Sequence, residues 1–322
     1  MELELDLALI ITHLVIAAAL FFSAAGYFGR FHKYLELASH FRVQYLLASI
    51  FCLSACLMFQ DWGWAIAAAV GAAINLAAIA PWYAGKRSSN NGIAGHRLNI
   101  VFANVYRVNK RREAFIAFVL RHQPDIVIAQ EVDAVWSDAL RPLHDQYPFF
   151  EVLPRGGGSG MAIFSRLAFE RLEIVLPEGE GRPGILVRLN AGGSAVSLLS
   201  IHPRAPIRRG HLEQRNKMLV AAASYLQNLP APKICVGDLN TSLWSPYYRS
   251  FAKQTNLVNV RQGFGLLPSW PTFLFFRWLM IPIDHCLVSA DIRVIRARTG
   301  EPIGSDHLPL VVEIEIPLST GQ

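Results

Sequence analysis

KICVGDLN, residues 233–240, decides how the larger part of this chain folds. Ile234 to Val236 is a short apolar run that reads as a strand, and it stops at Asp238 and Asn240, which are poor strand material. The same grammar recurs on both sides. LNIVFA (98–103) is followed by Asn104, DIVIAQ (125–130) by Glu131, and SLLSI (197–201) by His202. Asp284 interrupts MIPIDHCLV (280–288), and Asp306 with His307 sits in GSDHLPL (304–310). Further strand-like runs cover 149–153, 161–165, 185–189, 195–201, 285–289, 292–298 and 309–316. Helical spacing marks 110–122 and 212–229. Strands flanked by helices on both sides predict an α/β fold, a four-layer α/β/β/α sandwich over 98–322, and about 225 residues suit one domain.

The remainder of the chain is different material. Hydrophobic residues make up 52% of the 322 residues and charged residues 17%, which excludes a disordered chain. Four cysteines exclude a small disulfide scaffold. Residues 1–97 hold 6 Lys/Arg and 5 Asp/Glu, against 24 and 19 beyond. That is about one charge per nine residues against one per five, the second being near the usual soluble value. The formal charge of +6 divides as +1 and +5.

Residues 7–28, 43–59 and 64–83 lack Asp, Glu, Lys and Arg. Crossing a hydrocarbon core takes ~20 apolar residues, so residues 1–83 read as three transmembrane helices. The third run is rich in Ala and Gly, which permits close helix approach, and Trp62, Trp64, Trp82 and Tyr83 cluster at its ends. His13 and Asn75 are candidate polar contacts between these helices, and Cys52 with Cys56 reads as small apolar packing. The acidic start (MELELD) argues against a cleaved signal peptide. Arg30, Lys33 and Arg42 follow the first run, and Lys86, Arg87 and Arg97 follow the third. The positive-inside rule then predicts a multi-pass protein with its N-terminus outside and everything after Tyr83 cytoplasmic. Residues 84–97 (AGKRSSNNGIAGHR) read as a flexible linker.

Taken singly, an Asn or Asp after a strand is most often a turn former. The ordered set is specific. Asn104 in ANV, Glu131 in AQEV, His202 in SIHP, Asp238 and Asn240 in GDLN, Asp284 in IDHCLVS, and Asp306–His307 in GSDH occur in that order, with GMAIFSR (160–166) between them. This series resembles the endonuclease/exonuclease/phosphatase superfamily, which includes deoxyribonucleases, apurinic/apyrimidinic endonucleases, neutral sphingomyelinases and inositol-polyphosphate 5-phosphatases. The resemblance spans about residues 98–316. The three preceding spans resemble a membrane-attached bacterial branch on hydropathy alone.

The resemblance implies a Mg²⁺-dependent phosphoester hydrolase, with Mn²⁺ as an alternative ion. Hard carboxylate oxygens suit such a cation, which neutralises phosphate oxyanions. Glu131 would be the principal ligand, with Asn104 beside it and Asp306 completing the site or holding a second ion. Asp284 would hydrogen-bond His307 and fix its tautomer, and Asp238 would orient or deprotonate the attacking water. Asn240 and His202 would donate to the non-bridging phosphate oxygens.

Two basic clusters follow motif strands: Arg107, Lys110, Arg111 and Arg112 after Asn104, and Arg204, Arg208 and Arg209 after His202. They read either as solvated loops or as a positive rim for a polyanion. On the second reading Arg107, Arg112, Arg204 and Arg208 would bind substrate. PSWPTFLFFRWLMIPID (268–284) has one polar group, Arg277, between Phe273 and Ile281. The run is either a buried strand or, over 273–278, a loop that dips into a bilayer or stacks bases. Three functions therefore stand: a membrane-held endonuclease or phosphodiesterase on nucleic acid, a phosphatase or phospholipase-C-like enzyme on lipid-linked phosphates, and a non-catalytic membrane scaffold. No protein partner is evident.

Overall fold

The computed structural model describes residues 2–84, 95–177 and 181–318. Most of the stretch read as a linker, residues 85–94, lies outside them. The chain divides into two compact units, one of residues 1–84 with 242–249, the other of 85–241 with 250–322.

The first unit is helical: α1 (Glu2–Ala25), α2 (Lys33–Ala38), α3 (Arg42–Met58) and α4 (Trp62–Ile79). The segments Glu4–Phe28, Lys33–Met58 and Trp62–Trp82 are each long and apolar enough to cross a membrane. The second is longer than its charge-free run because α2 and a 3-10 turn extend it toward the N-terminus. Several buried polar groups inside are paired, which offsets the cost of burying them. Asn75 donates to Ser23 Oγ at 2.8 Å, Arg42 donates to Ser23 O at 2.9 Å, and His13 meets Asp61 at 2.7 Å. Cys52 and Cys56 are buried against Ile16, Ala65 and Ala68. Within the same unit, residues 242–249 bond back to the helices. Ser245 donates to Glu36 at 2.7 Å, His40 meets Ser242 at 2.7 Å, and Trp244 donates to the Ala78 carbonyl at 3.0 Å.

The second unit holds two six-stranded sheets. The first contains β1 (Gly95–Asn104), β2 (Ile126–Gln130), β3 (Phe149–Leu153) and β4 (Met161–Ser165), with β11 (Arg293–Thr299) and β12 (Leu310–Pro317) from the far end of the chain. The second contains β5 (Phe169–Val175), β6 (Gly184–Ala191), β7 (Ser194–Ile201), β8 (Lys233–Asp238), β9 (Val258–Asn259) and β10 (Asp284–Val288). Alternate residues of the central strands face the partner sheet. Ile100, Phe102, Ile126, Ile128 and Ile163 of one sheet share a buried core with Ile185, Val187, Leu198, Ile234 and Val236 of the other. The intervening residues face outward and are covered too. Val101, Ala103, Val127 and Ala129 pack under α5 (Arg112–His122) and α6 (Ala134–Ala139) through Phe115, Phe118 and Trp136. Helix α7 (His211–Gln227) buries Met218, Leu219, Ala222, Ala223 and Leu226. α8 (Pro246–Thr255) precedes β9. The central strands are therefore covered on both faces, which is why they read as continuous apolar runs.

Register brings the motif residues together. Parallel pairing of β1 and β2 sets Asn104 opposite Gln130, and antiparallel pairing of β8 and β10 sets Asp238 opposite Asp284. His202 follows the last residue of β7, which runs parallel to β8.

Candidate active site

Asn104, Glu131, His202, Asp238, Asn240, Asp284, Asp306 and His307 all lie at strand ends or in the turns leaving them. The backbone there is bent to present them. Glu131 (φ 68°), Tyr106 (φ 56°) and Asn240 (φ 51°) occupy the left-handed region, which costs a non-glycine residue energy and concentrates at functional sites. Gly237 allows the close approach of the two parallel strands: a Cβ there would lie 1.9 Å from the Ile201 carbonyl oxygen.

Asp238 is the hub. Its Oδ2 accepts from Asn104 Nδ2 (3.2 Å) and Asn240 Nδ2 (3.3 Å), and its Oδ1 accepts the Asn240 backbone N–H (2.8 Å). His202 Nε2 and His307 Nε2 stand 3.6 and 3.8 Å from the same Oδ2. Burial works against the Asp238 charge. The His202 hydrogen bond, the charge of His307 and the Asn240 N–H outweigh it and hold the carboxyl at about 2. Asp238 is thus a buried, ionised carboxylate at neutral pH.

His307 Nδ1 bonds Asp284 Oδ2 at 2.8 Å, which leaves Nε2 facing Asp238. Burial pushes the imidazole down, but Asp284, then Asp238 and Asp306, hold it up at about 10. Ser305 fixes this turn by donating to the Asn104 carbonyl (2.7 Å) and accepting the His307 N–H. His285 points the other way, toward Asn259 and the Thr241 carbonyl, and burial followed by Arg261 lowers it to about 3.

Glu131 is held by Asn104 and by the backbone. Its Oε1 accepts from Asn104 Nδ2 (3.3 Å) and its Oε2 from the Arg107 backbone N–H (3.2 Å). Asn104 turns its amide nitrogen, not its oxygen, toward Glu131 and Asp238, while its Oδ1 accepts the Tyr106 N–H (3.0 Å). Asp306 Oδ2 accepts from Trp270 Nε1 (3.1 Å), whereas Asp306 Oδ1 and Asp284 Oδ1 are buried with no hydrogen-bond partner among the described residues. Burial raises the Asp306 carboxyl, and the Glu131 and Asp238 charges raise it further against His307 and Trp270. A buried carboxylate cluster with orphaned oxygens fits a hard cation. Asp238, Asp284 and His307 offer ligand atoms within 4.8 Å of one another. Of these three, Asp284 and His307 already bond each other at 2.8 Å.

Two residues without a sequence signal complete the centre. Gln130, fully buried, donates to Ile201 O (2.9 Å) and Ser200 Oγ (3.2 Å), and its Oε1 accepts the Asp238 N–H (3.0 Å), so one side chain ties the two sheets together behind the hub. Arg182 Nη1 donates to His202 Nδ1 (3.1 Å), His202 O (3.3 Å) and Gly158 O (2.7 Å), and Nη2 to Gly157 O (2.9 Å). A guanidinium cannot accept, so His202 Nδ1 is the acceptor and Nε2 carries the proton. Burial and then Arg204 lower the Arg182 pKa, with Glu131 and Asp238 opposing. Asn240 spends its amide donors on Pro203 O (3.0 Å) and Asp238, which makes it a brace for the carboxylate.

Of the four arginines read as substrate contacts, Arg107 and Arg208 are exposed and Arg112 and Arg204 partly buried. Arg107 is exposed with its N–H on Glu131, and Arg204 is half-buried near Arg182. Arg208 is exposed, and the Arg112 guanidinium lies 5.9 Å from the Trp136 ring.

The two-sheet fold is shared with solved structures. D. rerio TDP2 complexed with single strand DNA product aligns at 16% identity and TM-score 0.57, over 68% of this chain and 98% of that one. The human Nocturnin catalytic domain with bound sulfate aligns at 20% identity and 0.55, over 68% and 93%. An endonuclease/exonuclease/phosphatase from Bacteroides vulgatus aligns at 14% and 0.57, over 68% and 99%. No curated protein matches the chain. Residues 101–307, from β1 to His307, match the Endonuclease/Exonuclease/phosphatase family, and the chain belongs to that family.

Proposed function

We propose that the protein is a membrane-anchored, divalent-metal-dependent hydrolase of phosphodiester bonds, acting by water attack at phosphorus. The observation that carries this is the ionised Asp238 set between His202 and His307, with Asp284 behind His307. Glu131 and Asp306 would hold the cation, Mg²⁺ or Mn²⁺, with Asn104 beside them. When bound, it neutralises phosphate oxyanion charge as that charge builds.

The chain's own groups supply the rest. Asp238, braced by Asn240 and Asn104, is an ionised acceptor placed to orient the attacking water. His202 presents Nε2–H to a non-bridging oxygen because Arg182 holds Nδ1. His307, kept protonated by Asp284, donates a hydrogen bond to the phosphoryl group from Nε2. The three apolar helices anchor the enzyme, and the Lys/Arg bias of their flanks supports a cytoplasmic site.

Two substrate classes suit such a centre, and one of them is nucleic acid. The D. rerio TDP2 structure contains a single strand DNA product, and Arg107, Arg204 and Arg208 supply positive charge at the same strand ends. A lipid-linked phosphate is the second, favoured by the exposed aromatic turn beside Asp306. Full-length protein offered plasmid DNA and phospholipid vesicles, each with Mg²⁺ or chelator, separates them. Metal-dependent nicking supports the first and released phosphorylated headgroup the second. No turnover of either, with Glu131→Ala indistinguishable from wild type, would return the protein to a scaffold role.

A further inference from the structure

Between Trp270 and Ile281 the chain leaves the sandwich and returns. The two residues pair with each other (Ile281 N to Trp270 O, 2.6 Å) and close the excursion. Its base is tied to the turn that carries Asp306 and His307: Trp270 Nε1 to Asp306 Oδ2, Thr272 N to Asp306 O (2.9 Å), and Thr272 Oγ1 to Ser305 O (2.7 Å). Its tip, a 3-10 turn over Leu274–Leu279, exposes Phe275 by 83% and Trp278 by 69%, with Phe273 and Phe276 about half exposed. Such a contiguous aromatic tip is costly in water and marks an interaction surface. The Trp278 indole N–H is already bonded to the Phe275 carbonyl at 2.9 Å, so the ring can leave water without stranding a donor.

A second loop at the strand ends has the same character. Beyond His202 and Pro203, Ile207 is 85% exposed and is followed by the exposed Arg208 and Arg209. Aromatic and aliphatic tips with flanking cations, here Arg277, Arg208 and Arg209, match a headgroup layer that is anionic at its surface and apolar beneath. The same chain also carries three helices fit to cross a membrane, which keeps a bilayer at hand. An aliphatic tip such as Ile207 lacks the π face on which single-stranded bases stack.

We propose that the 273–278 turn and the Ile207 loop dock on the bilayer surface, and that the centre draws its scissile phosphate from a lipid headgroup. The docking stands on exposure and charge, while the substrate clause rests on the phosphodiesterase reading.

The test uses the full chain reconstituted in phosphatidylcholine–phosphatidylglycerol vesicles. An environment-sensitive fluorophore is placed at Phe275→Cys, at Ile207→Cys, or at Val220→Cys on α7 as a control. The native cysteines are all buried. Spin-labelled lipid should quench the labels at 275 and 207 and iodide should not reach them, with the reverse at 220. Labels at 275 and 207 as open to iodide as the one at 220, and unquenched by lipid, overturn the docking. Phe275→Ser with Trp278→Ser should lower turnover of vesicle phospholipid by about tenfold or more. It should leave turnover of the soluble diester bis(p-nitrophenyl) phosphate unchanged. Loss of turnover on a single-stranded oligonucleotide instead would make the turn a base-stacking element and overturn the proposal. If wild type hydrolyses none of these, the phosphodiesterase reading fails, and the quenching alone still decides the docking.

Discussion

Replacing Asp284 by Asn should change the pH profile of hydrolysis more revealingly than its maximum. In the native site the Asp284 carboxylate, 2.8 Å from His307 Nδ1, is the largest influence opposing burial of the imidazolium, and the balance stands at about 10. In the variant only Asp238 and Asp306 oppose burial, and the midpoint moves back toward the ordinary value of about 6.5. A group with that value is ~75% protonated at pH 6 and ~3% at pH 8, about a 25-fold fall, whereas one at about 10 barely changes. A pH-independent loss on the order of 10²–10⁴ should accompany it, because an amide also donates and permits the wrong tautomer. The assay is kcat/KM on bis(p-nitrophenyl) phosphate at fixed metal from pH 6 to 8, with thermal melts to show that both proteins are folded. The ratio of wild type to variant should widen by about 25-fold across that interval. A constant ratio would refute the assignment of His307 as a cation held charged by Asp284. Stability carries the same sign. A raised histidine contributes stability that is complete below its unfolded value near 6.5 and is lost as pH rises through about 10. The deficit of the variant in chemical denaturation should therefore shrink as pH climbs through that window.

Arg182→Ala should free the His202 ring and lower kcat by about 10–10² with KM less affected. Arg182→Lys should rescue little, since one ammonium cannot span the four acceptors on residues 157, 158 and 202. Gln130→Leu should destabilise the two-sheet unit by about 1–3 kcal/mol, read by urea unfolding, because the Asp238 N–H and Ile201 carbonyl lose a buried partner. Gly237→Ala should cost about 3 kcal/mol or more in the same measurement, its Cβ having no room beside the Ile201 oxygen.

Much of this is legible in the amino-acid order because the strands that carry the motifs are covered on both faces. Expected strands at 149–153 and 161–165 coincide with β3 and β4, and those at 185–189, 195–201 and 309–316 fall within a residue or two of β6, β7 and β12. β1 starts three residues ahead of LNIVFA, where Gly95, His96 and Arg97 pair with Pro317, Ile316 and Glu315. β5 escapes a reading by apolar runs for the opposite reason: FERLEIV carries Glu170, Arg171 and Glu173 at a sheet edge, so its apolar signal is diluted. Helices α6 and α8 are short, six and ten residues, which leaves a helical period few turns in which to show. Gln130 and Arg182 have no local signature, because each acts on residues 20 or more positions away in sequence. A glutamine closing an apolar strand, and a lone arginine in GEGRPG before β6, are the only traces they leave. The 273–281 run is ambiguous in sequence between buried strand and exposed loop. The pairing of Trp270 with Ile281 resolves it by placing everything between them outside the sheets.

Metal-dependent hydrolysis tests the central claim most directly. Full-length protein should release p-nitrophenol from bis(p-nitrophenyl) phosphate with Mg²⁺ or Mn²⁺ and stop on chelation. Glu131→Gln, which keeps the shape but removes the charge, should bind the ion weakly and fall by about 10²–10³-fold. Turnover that survives the chelator, or a Glu131→Gln protein as active as wild type, would contradict the account.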